Sequence, residues 1–144
     1  WFDAHPDLNT PDTSPSHAFH GMSLRSLFGE GDPEFVADPP LRHAVLVGAR
    51  SMDEGERAAL RLVGGEGNPV YVHIDLDVLD PTEFNGMCYP EPNGLTITEV
   101  ADAVRAIDVP VVGAGITECV ATDPAELRKL TPILEAVTEA LAAR

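Results

Sequence analysis

Residues 70–77 read VYVHIDLD, an apolar run rich in β-branched and aromatic residues that ends in two aspartates. This composition predicts a β-strand over its first five positions. Two further apolar runs, at residues 44–48 and 109–116, also predict strands, and Gly113 and Gly115 interrupt the second. Because these runs are nearly continuous, they favour parallel strands that are covered on both faces.

Helix signals lie between and after these runs. Residues 53–63 predict one helix, the capping box at residues 96–99 begins another, and a short helix is expected near residues 23–28. Asp123-Pro124 and Thr131-Pro132 predict two helices, or one kinked helix, in the last part of the chain. The second of these carries an apolar stripe formed by Ile133, Leu134, Val137 and Leu141. Strands that alternate with helices predict an α/β fold with a parallel sheet.

The charge balance of the chain argues against several classes of partner. Its 144 residues are 44% hydrophobic, enough for one domain with a core, and 9 Lys and Arg against 24 Asp and Glu give a net charge of −15. Nucleic acids and anionic membrane surfaces attract basic proteins, so neither is an expected partner. The two cysteines, Cys88 and Cys119, form no disulfide framework, and a cytoplasmic location fits them better.

Two motifs place acidic side chains just after a strand. Asp3-Ala4-His5-Pro6-Asp7 carries three candidate metal ligands at alternate positions, which an extended chain points in the same direction. Asp75-Leu76-Asp77 does the same at the end of the strand at residues 70–74. Binding sites of parallel sheets lie at the carboxyl ends of their strands. Carboxylates combined with imidazole suit Mn²⁺, with Zn²⁺ or Fe²⁺ also compatible.

Each motif alone has an ordinary explanation as a polar loop or a turn-capping pair, and only their joint occurrence favours a metal site. Two other motif matches fail. A calcium loop requires glycine where Asp80 stands, and Gly113-Ala114-Gly115 lacks the third glycine of a dinucleotide-binding loop.

These residues resemble the ureohydrolases, the family of arginases, agmatinases and related amidinohydrolases. Residues 3–7 resemble the family's Asp-Ala-His-x-Asp motif, and residues 73–81 resemble its Asp-x-Asp-x-x-Asp-Pro motif. Ile116-Thr117-Glu118 is similar to the segment with the substrate-binding glutamate, and His20-Gly21-Met22 to the His-Gly segment. The resemblance implies a three-layer α/β/α fold with a parallel sheet.

The resemblance further implies that residues 1–144 are the C-terminal portion of a single catalytic domain. The family's upstream Gly-Gly-Asp-His motif, whose histidine is a metal ligand, is absent from these residues. An N-terminally truncated fragment is therefore expected.

The metal site implied by the resemblance holds two Mn²⁺ ions in the complete active site. Asp3 and Asp75 would bridge the ions, and His5 and Asp77 would complete the ligands of one. Asp7 would bind the other ion and pass a proton to the departing amine.

The resemblance also assigns residues to the substrate. Glu118 would hold the guanidinium group by a charge-assisted pair, and His20 would shuttle protons. Asp53 lies in a segment similar to the one that contacts the α-amino group in arginases. The positions similar to those around the α-carboxylate of arginine are Asn9, Ser14 and Ser16. Because agmatine lacks that carboxylate, L-arginine is the favoured substrate.

The expected function is hydrolysis of L-arginine to ornithine and urea by a binuclear manganese site. The alternatives are an agmatinase, another guanidino or N-hydroxyarginine amidinohydrolase, and a catalytically silent fragment that binds at most one metal ion. The substrate would be a small cationic guanidino compound, which the acidic surface would attract. By analogy with the family, a homo-oligomer is expected, either a trimer or a hexamer.

Overall fold

Among the residues that the structure describes, two strands are joined by a helix, and two further helices lie before them and two after them. The structure is a computed structural model that describes residues 1–67 and 69–143. Its elements are α1 (Ser23–Leu27), α2 (Glu54–Ala59), β1 (Val70–Asp75), α3 (Ile97–Arg105), β2 (Val111–Thr117), α4 (Pro124–Arg128) and α5 (Thr131–Ala142). Short 3₁₀ turns occupy Phe19–Met22, Leu60–Leu62 and Leu76–Val78.

The sheet is parallel, as the apolar runs predict. β1 and β2 form a parallel ladder in which Asp75 lies opposite Thr117. On the other side of β1, Phe2 makes parallel bridges to both Ile74 and Val47. The segment that carries the first acidic motif therefore lies between residue 47 and β1, and the predicted α/β fold with a parallel sheet is confirmed.

The prediction of a continuous strand over residues 44–48 is wrong. Ala44 makes an antiparallel bridge to Gly64, whereas Val47 makes a parallel bridge to Phe2. Because the two ends of this run pair with different neighbours in opposite directions, no regular ladder forms along it.

The helix starts at Asp53 and Thr96 follow the predicted capping signals. The side chains of Asp53 and Glu56 form a reciprocal capping box at α2, and Thr96 and Glu99 form another at α3. Each box satisfies backbone amides that have no partner inside the helix. The short helix α1 is confirmed as well.

The two tail helices are separate, and their details differ from the prediction. Asp123 caps α4 by accepting a hydrogen bond from the amide of Ala125. Thr131 does not cap α5, because it is already the first residue of the helix and Leu130 occupies the N-cap position. The Thr131 hydroxyl donates instead to the carbonyl of Arg128 at 2.7 Å. The prediction that Leu134 belongs to the apolar stripe is wrong, because its side chain is 50% exposed.

The main core lies between the sheet and the helices α3 and α5. Val100 and Val104 of α3 and Ile133 of α5 are fully buried, and α5 also packs on β2. Burial of each such side chain contributes about 1.5–3 kcal/mol relative to exposure. Among residues 1–67 and 69–143, no helix combines the length and hydrophobicity needed to cross a lipid bilayer.

A second, smaller apolar cluster anchors the loop after the first acidic motif. Leu8 and Leu24 are buried there together with Ala59. Since Leu8 lies between Asp7 and Asn9 in the chain, its burial fixes the loop that carries both polar residues.

Candidate metal centre

One cavity brings together all of the residues predicted for the site. Those residues are Asp3, His5, Asp7, Asn9, Ser14, Ser16, His20, Asp53, Asp75, Asp77 and Glu118. They come from the segment after residue 2, the end of β1, the start of α2 and the residue after β2. Their proximity is what the strand-end argument predicts, while the role of each residue stays a prediction.

The two acidic motifs contact each other through His5 and Asp77. Nδ1 of His5 is 2.8 Å from Oδ2 of Asp77, and the amide of Ala4 donates to Oδ1 of Asp77 at 2.8 Å. Nε2 of His5 is 3.7 Å from Oε1 of Glu91. The Asp77 carboxylate thus joins the first motif to the second.

Asp3 and Asp75 are each held by two hydrogen bonds. Asp3 accepts from the amide of His5 at 2.6 Å and from Nε1 of Trp1 at 3.0 Å. Asp75 accepts from the amide of Asp77 at 3.0 Å and from the hydroxyl of Thr117 at 3.1 Å. These bonds orient the carboxylates and leave further lone pairs for another partner.

Two groups of three side chains have the spacing of a metal site. In the part of the chain that the structure describes, Asp3, His5 and Asp77 bring one ligand atom each within 4.8 Å of the others, and Asp3, His73 and Asp75 do the same. The groups share Asp3, one of the two residues predicted to bridge the ions, whereas Asp75, the other, belongs to one group only. Asp7, although predicted as a ligand, belongs to neither group.

Burial makes this cluster unfavourable for negative charge. It raises the pKa of Asp7, and the charges of Asp3 and Asp75 raise it further. Burial likewise raises the pKa of Asp3 and of Asp75. Hydrogen bonds to Asp3 and Asp77 raise the pKa of His5 to about 10, whereas burial lowers the pKa of His73 to about 4.

These donors fit divalent metal ions. Several buried carboxylates together with imidazoles are expensive to ionise without a compensating cation. Oxygen donors favour Mn²⁺ over softer metals, and imidazole is also compatible with Mn²⁺, Zn²⁺ and Fe²⁺. The cluster can therefore hold a divalent cation, and Asp3 belongs to both ligand groups.

The predicted substrate residues Asn9 and Asp53 are bonded to each other. Nδ2 of Asn9 donates to Oδ2 of Asp53 at 2.7 Å, and Thr13 donates to Oδ1 of Asn9 at 2.8 Å. The other oxygen of Asp53 accepts from the amide of Glu56. Asp53 is thus both a helix cap and part of the cavity wall.

Another part of the cavity wall is formed by Ser14, Ser16 and His20. Ser14 accepts from the amide of His17 at 3.0 Å, and Ser16 accepts from the amide of Ala18 at 3.2 Å. The ring of His20 lies 4.9 Å from the ring of Tyr89, centroid to centroid.

Three residues of the cavity wall have left-handed backbone conformations. The φ angles are 52° at Asp7, 52° at Tyr89 and 62° at Glu118. Such conformations are uncommon outside glycine and are enriched at functional sites, where the surrounding structure supports them. At Glu118 this conformation ends β2 at the cavity.

Sequence reasoning missed Glu56 and Tyr89, which also line the cavity. Glu56 had a usable signal, because an Asp followed by Glu three positions later is a capping box that fixes both side chains. Tyr89 lies in a long connection without periodicity, and nothing in the sequence marks it.

The arginase family profile matches residues 1–65 and 57–136 of the chain, which together span most of its length. The chain belongs to the arginase family. The structure of arginase from Bacillus cereus superimposes on all of this chain with a TM-score of 0.81 and 28% sequence identity. The fold of this family member is therefore the arginase fold.

Curated relatives in the arginase family carry two different names. The arginase of Bacillus subtilis is 31% identical over 166 aligned residues, covering 94% of this chain and 53% of that protein. The N(omega)-hydroxy-L-arginine amidinohydrolase of Streptomyces lavendulae is 34% identical over 124 residues, covering 74% of this chain and 45% of that protein. The matched chain of the B. cereus arginase structure is covered to 61%. The chain thus spans about half the length of the curated relatives it matches.

Proposed function

We propose that this chain carries a binuclear manganese centre that hydrolyses the guanidinium group of L-arginine, giving L-ornithine and urea. The observation that supports the proposal is the pair of ligand groups that share Asp3 beside a cavity lined by Glu118. We also propose that residues 1–144 belong to a single catalytic domain.

The ligands of the centre come from the two acidic motifs. Asp3 and Asp75 would bridge the ions, His5 and Asp77 would complete one ligand set, and Asp7 would contribute to the other. When bound, a pair of Mn²⁺ ions supplies Lewis-acid activation of the attacking water and stabilises developing negative charge.

Other residues that line the cavity would orient the substrate. The Glu118 carboxylate would pair with the planar guanidinium, which can offer two parallel N–H donors. Asp53 would accept from the α-amino group, and Asn9, Ser14 and Ser16 would donate to the α-carboxylate. This polar set is the reason for preferring L-arginine to agmatine.

The proton transfers would use Asp7 and His20. Water adds to the guanidinium carbon, the bond to the ornithine nitrogen breaks, and that nitrogen takes up a proton. Asp7 is suited to carry the proton, since burial already raises the pKa of its carboxyl group. The exposed imidazole of His20 would exchange protons between the cavity and solvent.

Other features of the proposal rest on the family and on composition. A trimer or hexamer is proposed by analogy with the family. A cytoplasmic location is supported by two cysteines that are unpaired in the structure.

The test is to titrate MnCl₂ into the purified chain by calorimetry and to measure urea release from L-arginine, agmatine and N-hydroxy-L-arginine. We expect two ions per chain and the highest kcat/KM, or the tightest binding if turnover is slow, for L-arginine. Asp75→Asn should lose one ion and most of the activity. Asp102→Asn, on the exposed surface of α3, is the matched control.

Three outcomes would contradict parts of the proposal. Turnover that persists after thorough chelation would exclude the metal centre. One ion per chain without urea release would favour the silent single-metal alternative. Equal or better use of agmatine or N-hydroxy-L-arginine would change the substrate and keep the reaction class.

A further inference from the structure

Glu91 faces the ring nitrogen of His5 that is not directed at Asp77. Nδ1 of His5 lies 2.8 Å from Oδ2 of Asp77 and 3.7 Å from Oδ1 of Asp3, so this nitrogen is on the side of the proposed ion. Nε2 of the same ring lies 3.7 Å from Oε1 of Glu91. The two ring nitrogens therefore face different partners, and the Glu91 carboxylate faces the one that the proposed ion would leave unused.

Contacts with Ser51 and Arg50 hold Glu91 in this position. Its Oε1 accepts from the hydroxyl of Ser51 at 3.2 Å, and its backbone carbonyl accepts from Nη2 of Arg50 at 2.8 Å. The same Nη2 donates to the carbonyl of Asp77 at 2.8 Å, and Nε of Arg50 donates to the carbonyl of Pro92 at 3.1 Å. One guanidinium thus ties the backbone of Glu91 to that of Asp77, which contacts the other nitrogen of His5.

A metal ion on Nδ1 of His5 would determine what Nε2 can do. Neutral imidazole carries one proton, so when Nδ1 gives its lone pair to an ion the proton lies on Nε2, which becomes a hydrogen-bond donor. In metal sites a carboxylate is a common partner of that nitrogen, and it fixes the orientation of the ring.

The separation of Nε2 and Oε1 fits such a pair before the ion binds. A distance of 3.7 Å is an ion-pair distance rather than a hydrogen bond, and a shift of the carboxylate by about 1 Å would close it. The Glu91 side chain is 36% exposed, which leaves room for this shift.

We propose that Glu91 is the positioning residue of His5. Its carboxylate accepts a hydrogen bond from Nε2, keeps the ring in the tautomer that binds through Nδ1, and directs Nδ1 at the ion shared with Asp77. This inference rests on the proposed function, whose metal ligands it leaves unchanged, because Glu91 acts on the ion through His5.

The first test measures metal affinity by calorimetry with MnCl₂. Glu91→Ala removes the carboxylate, whereas Glu91→Gln keeps an oxygen that can accept from Nε2 and removes only the charge. We expect the ion at His5 to bind at least about tenfold more weakly in Glu91→Ala, with a smaller loss in Glu91→Gln. Glu83→Ala is the matched control, because it removes a carboxylate from the same connection between β1 and α3, and it should leave the affinity unchanged.

The second test detects the Nε2 proton itself in the chain loaded with CoCl₂. A proton on an imidazole bound to paramagnetic Co²⁺ has a strongly shifted NMR resonance, and the resonance of His5 is identified by its absence in His5→Asn. We expect it to be sharp in the wild type and in Glu83→Ala, and broadened by exchange with water in Glu91→Ala. Circular dichroism checks that each variant keeps its secondary structure.

The outcomes separate this inference from the proposed function. Metal binding that is unchanged in Glu91→Ala, or a Nε2 proton that exchanges as slowly there as in the wild type, would overturn the role of Glu91 and keep the metal centre. Equal losses of affinity in Glu91→Ala and Glu91→Gln would also overturn it, because the carboxylate would then act through its charge alone. Failure of the wild type to bind either Mn²⁺ or Co²⁺ would overturn both proposals.

Discussion

Nδ1 of His5 lies 2.8 Å from Oδ2 of Asp77, although 72 residues separate them in the chain. The contact joins the ends of two adjacent segments of the sheet. Without metal it is an ion pair, because hydrogen bonds to Asp3 and Asp77 raise the pKa of His5 to about 10. A metal ion that binds His5 must therefore displace a proton, and metal binding is coupled to proton release.

Asp77→Asn should lower both the pKa of His5 and the affinity of the chain for Mn²⁺. The amide can still accept from Ala4 but carries no charge to stabilise the imidazolium or a cation. We expect the pKa of His5 to fall towards its ordinary value, by NMR titration, and Mn²⁺ to bind at least about tenfold more weakly, by calorimetry. Asp80→Asn is the control, since the Asp80 carboxylate accepts from Thr82 and from the amide of Gly94 rather than from His5. Equal losses in both variants would contradict the prediction.

The metal-free chain should lose stability as the pH rises from about 8 to about 10. His5 keeps its proton in the folded chain up to about pH 10, whereas an unfolded histidine loses it near its ordinary pKa of about 6.5. The folded state therefore binds more protons over this range, and stability falls with pH. The raised pKa of Asp7 acts in the same direction.

Saturating Mn²⁺ should remove this pH dependence, because the ion replaces the proton on its ligands. The measurement is the melting temperature at several pH values in EDTA and in MnCl₂ under nitrogen. A melting temperature that rises between pH 8 and pH 10 in EDTA would show that His5 is not charged in the folded chain.

Asn9→Ala should weaken the binding of L-arginine and leave the binding of agmatine unchanged. Asn9 donates to Asp53 through a 2.7 Å hydrogen bond, and in the proposed function it contacts the α-carboxylate, which agmatine lacks. We expect about a tenfold rise in Kd for L-arginine, equivalent to one hydrogen bond of about 1.4 kcal/mol, measured by calorimetry on the Mn²⁺-loaded chain. Asp12→Asn, at an exposed position of the same loop, is the control. An equal loss of affinity for both ligands would show that Asn9 does not contact the α-carboxylate.

Ile133→Ala should destabilise the chain by about 2–5 kcal/mol, because it removes a fully buried side chain between α5 and α3. Leu134→Ala, at the next position of the same helix, should change the free energy of unfolding by less than about 0.5 kcal/mol, since its side chain is half exposed. Urea denaturation followed by circular dichroism gives both values. Similar losses in the two variants would mean that α5 packs in a different rotation.

The convergence of the acidic side chains at the strand ends was predictable because their geometry is local. Alternation by two residues places Asp3 with His5, and Asp75 with Asp77, on one side of each segment, and a parallel sheet brings such ends together. The capping box at Thr96 and the N-cap at Asp53 are local too, and both were predicted correctly, whereas the reciprocal contact from Glu56 was not predicted.

Features that depend on tertiary contacts were not predictable. Residues 44–48 have the composition of a strand, but their pairing is divided between Gly64 and Phe2. Leu134 fits the apolar period, but the rotation of α5 leaves it half exposed. Tyr89 lines the cavity through a tertiary contact, with its ring 4.9 Å from the ring of His20.

The position of Phe2 between Val47 and Ile74 sets an order of events during synthesis. Asp3 and His5 emerge from the ribosome long before Asp75 and Asp77, so no ion can be held by both motifs until β1 has been made and has paired. Long-range strand pairing, which is a slow step of folding, brings the two motifs together. In the proposed metal centre an ion shared by both motifs would therefore bind after this pairing and would stabilise the folded chain.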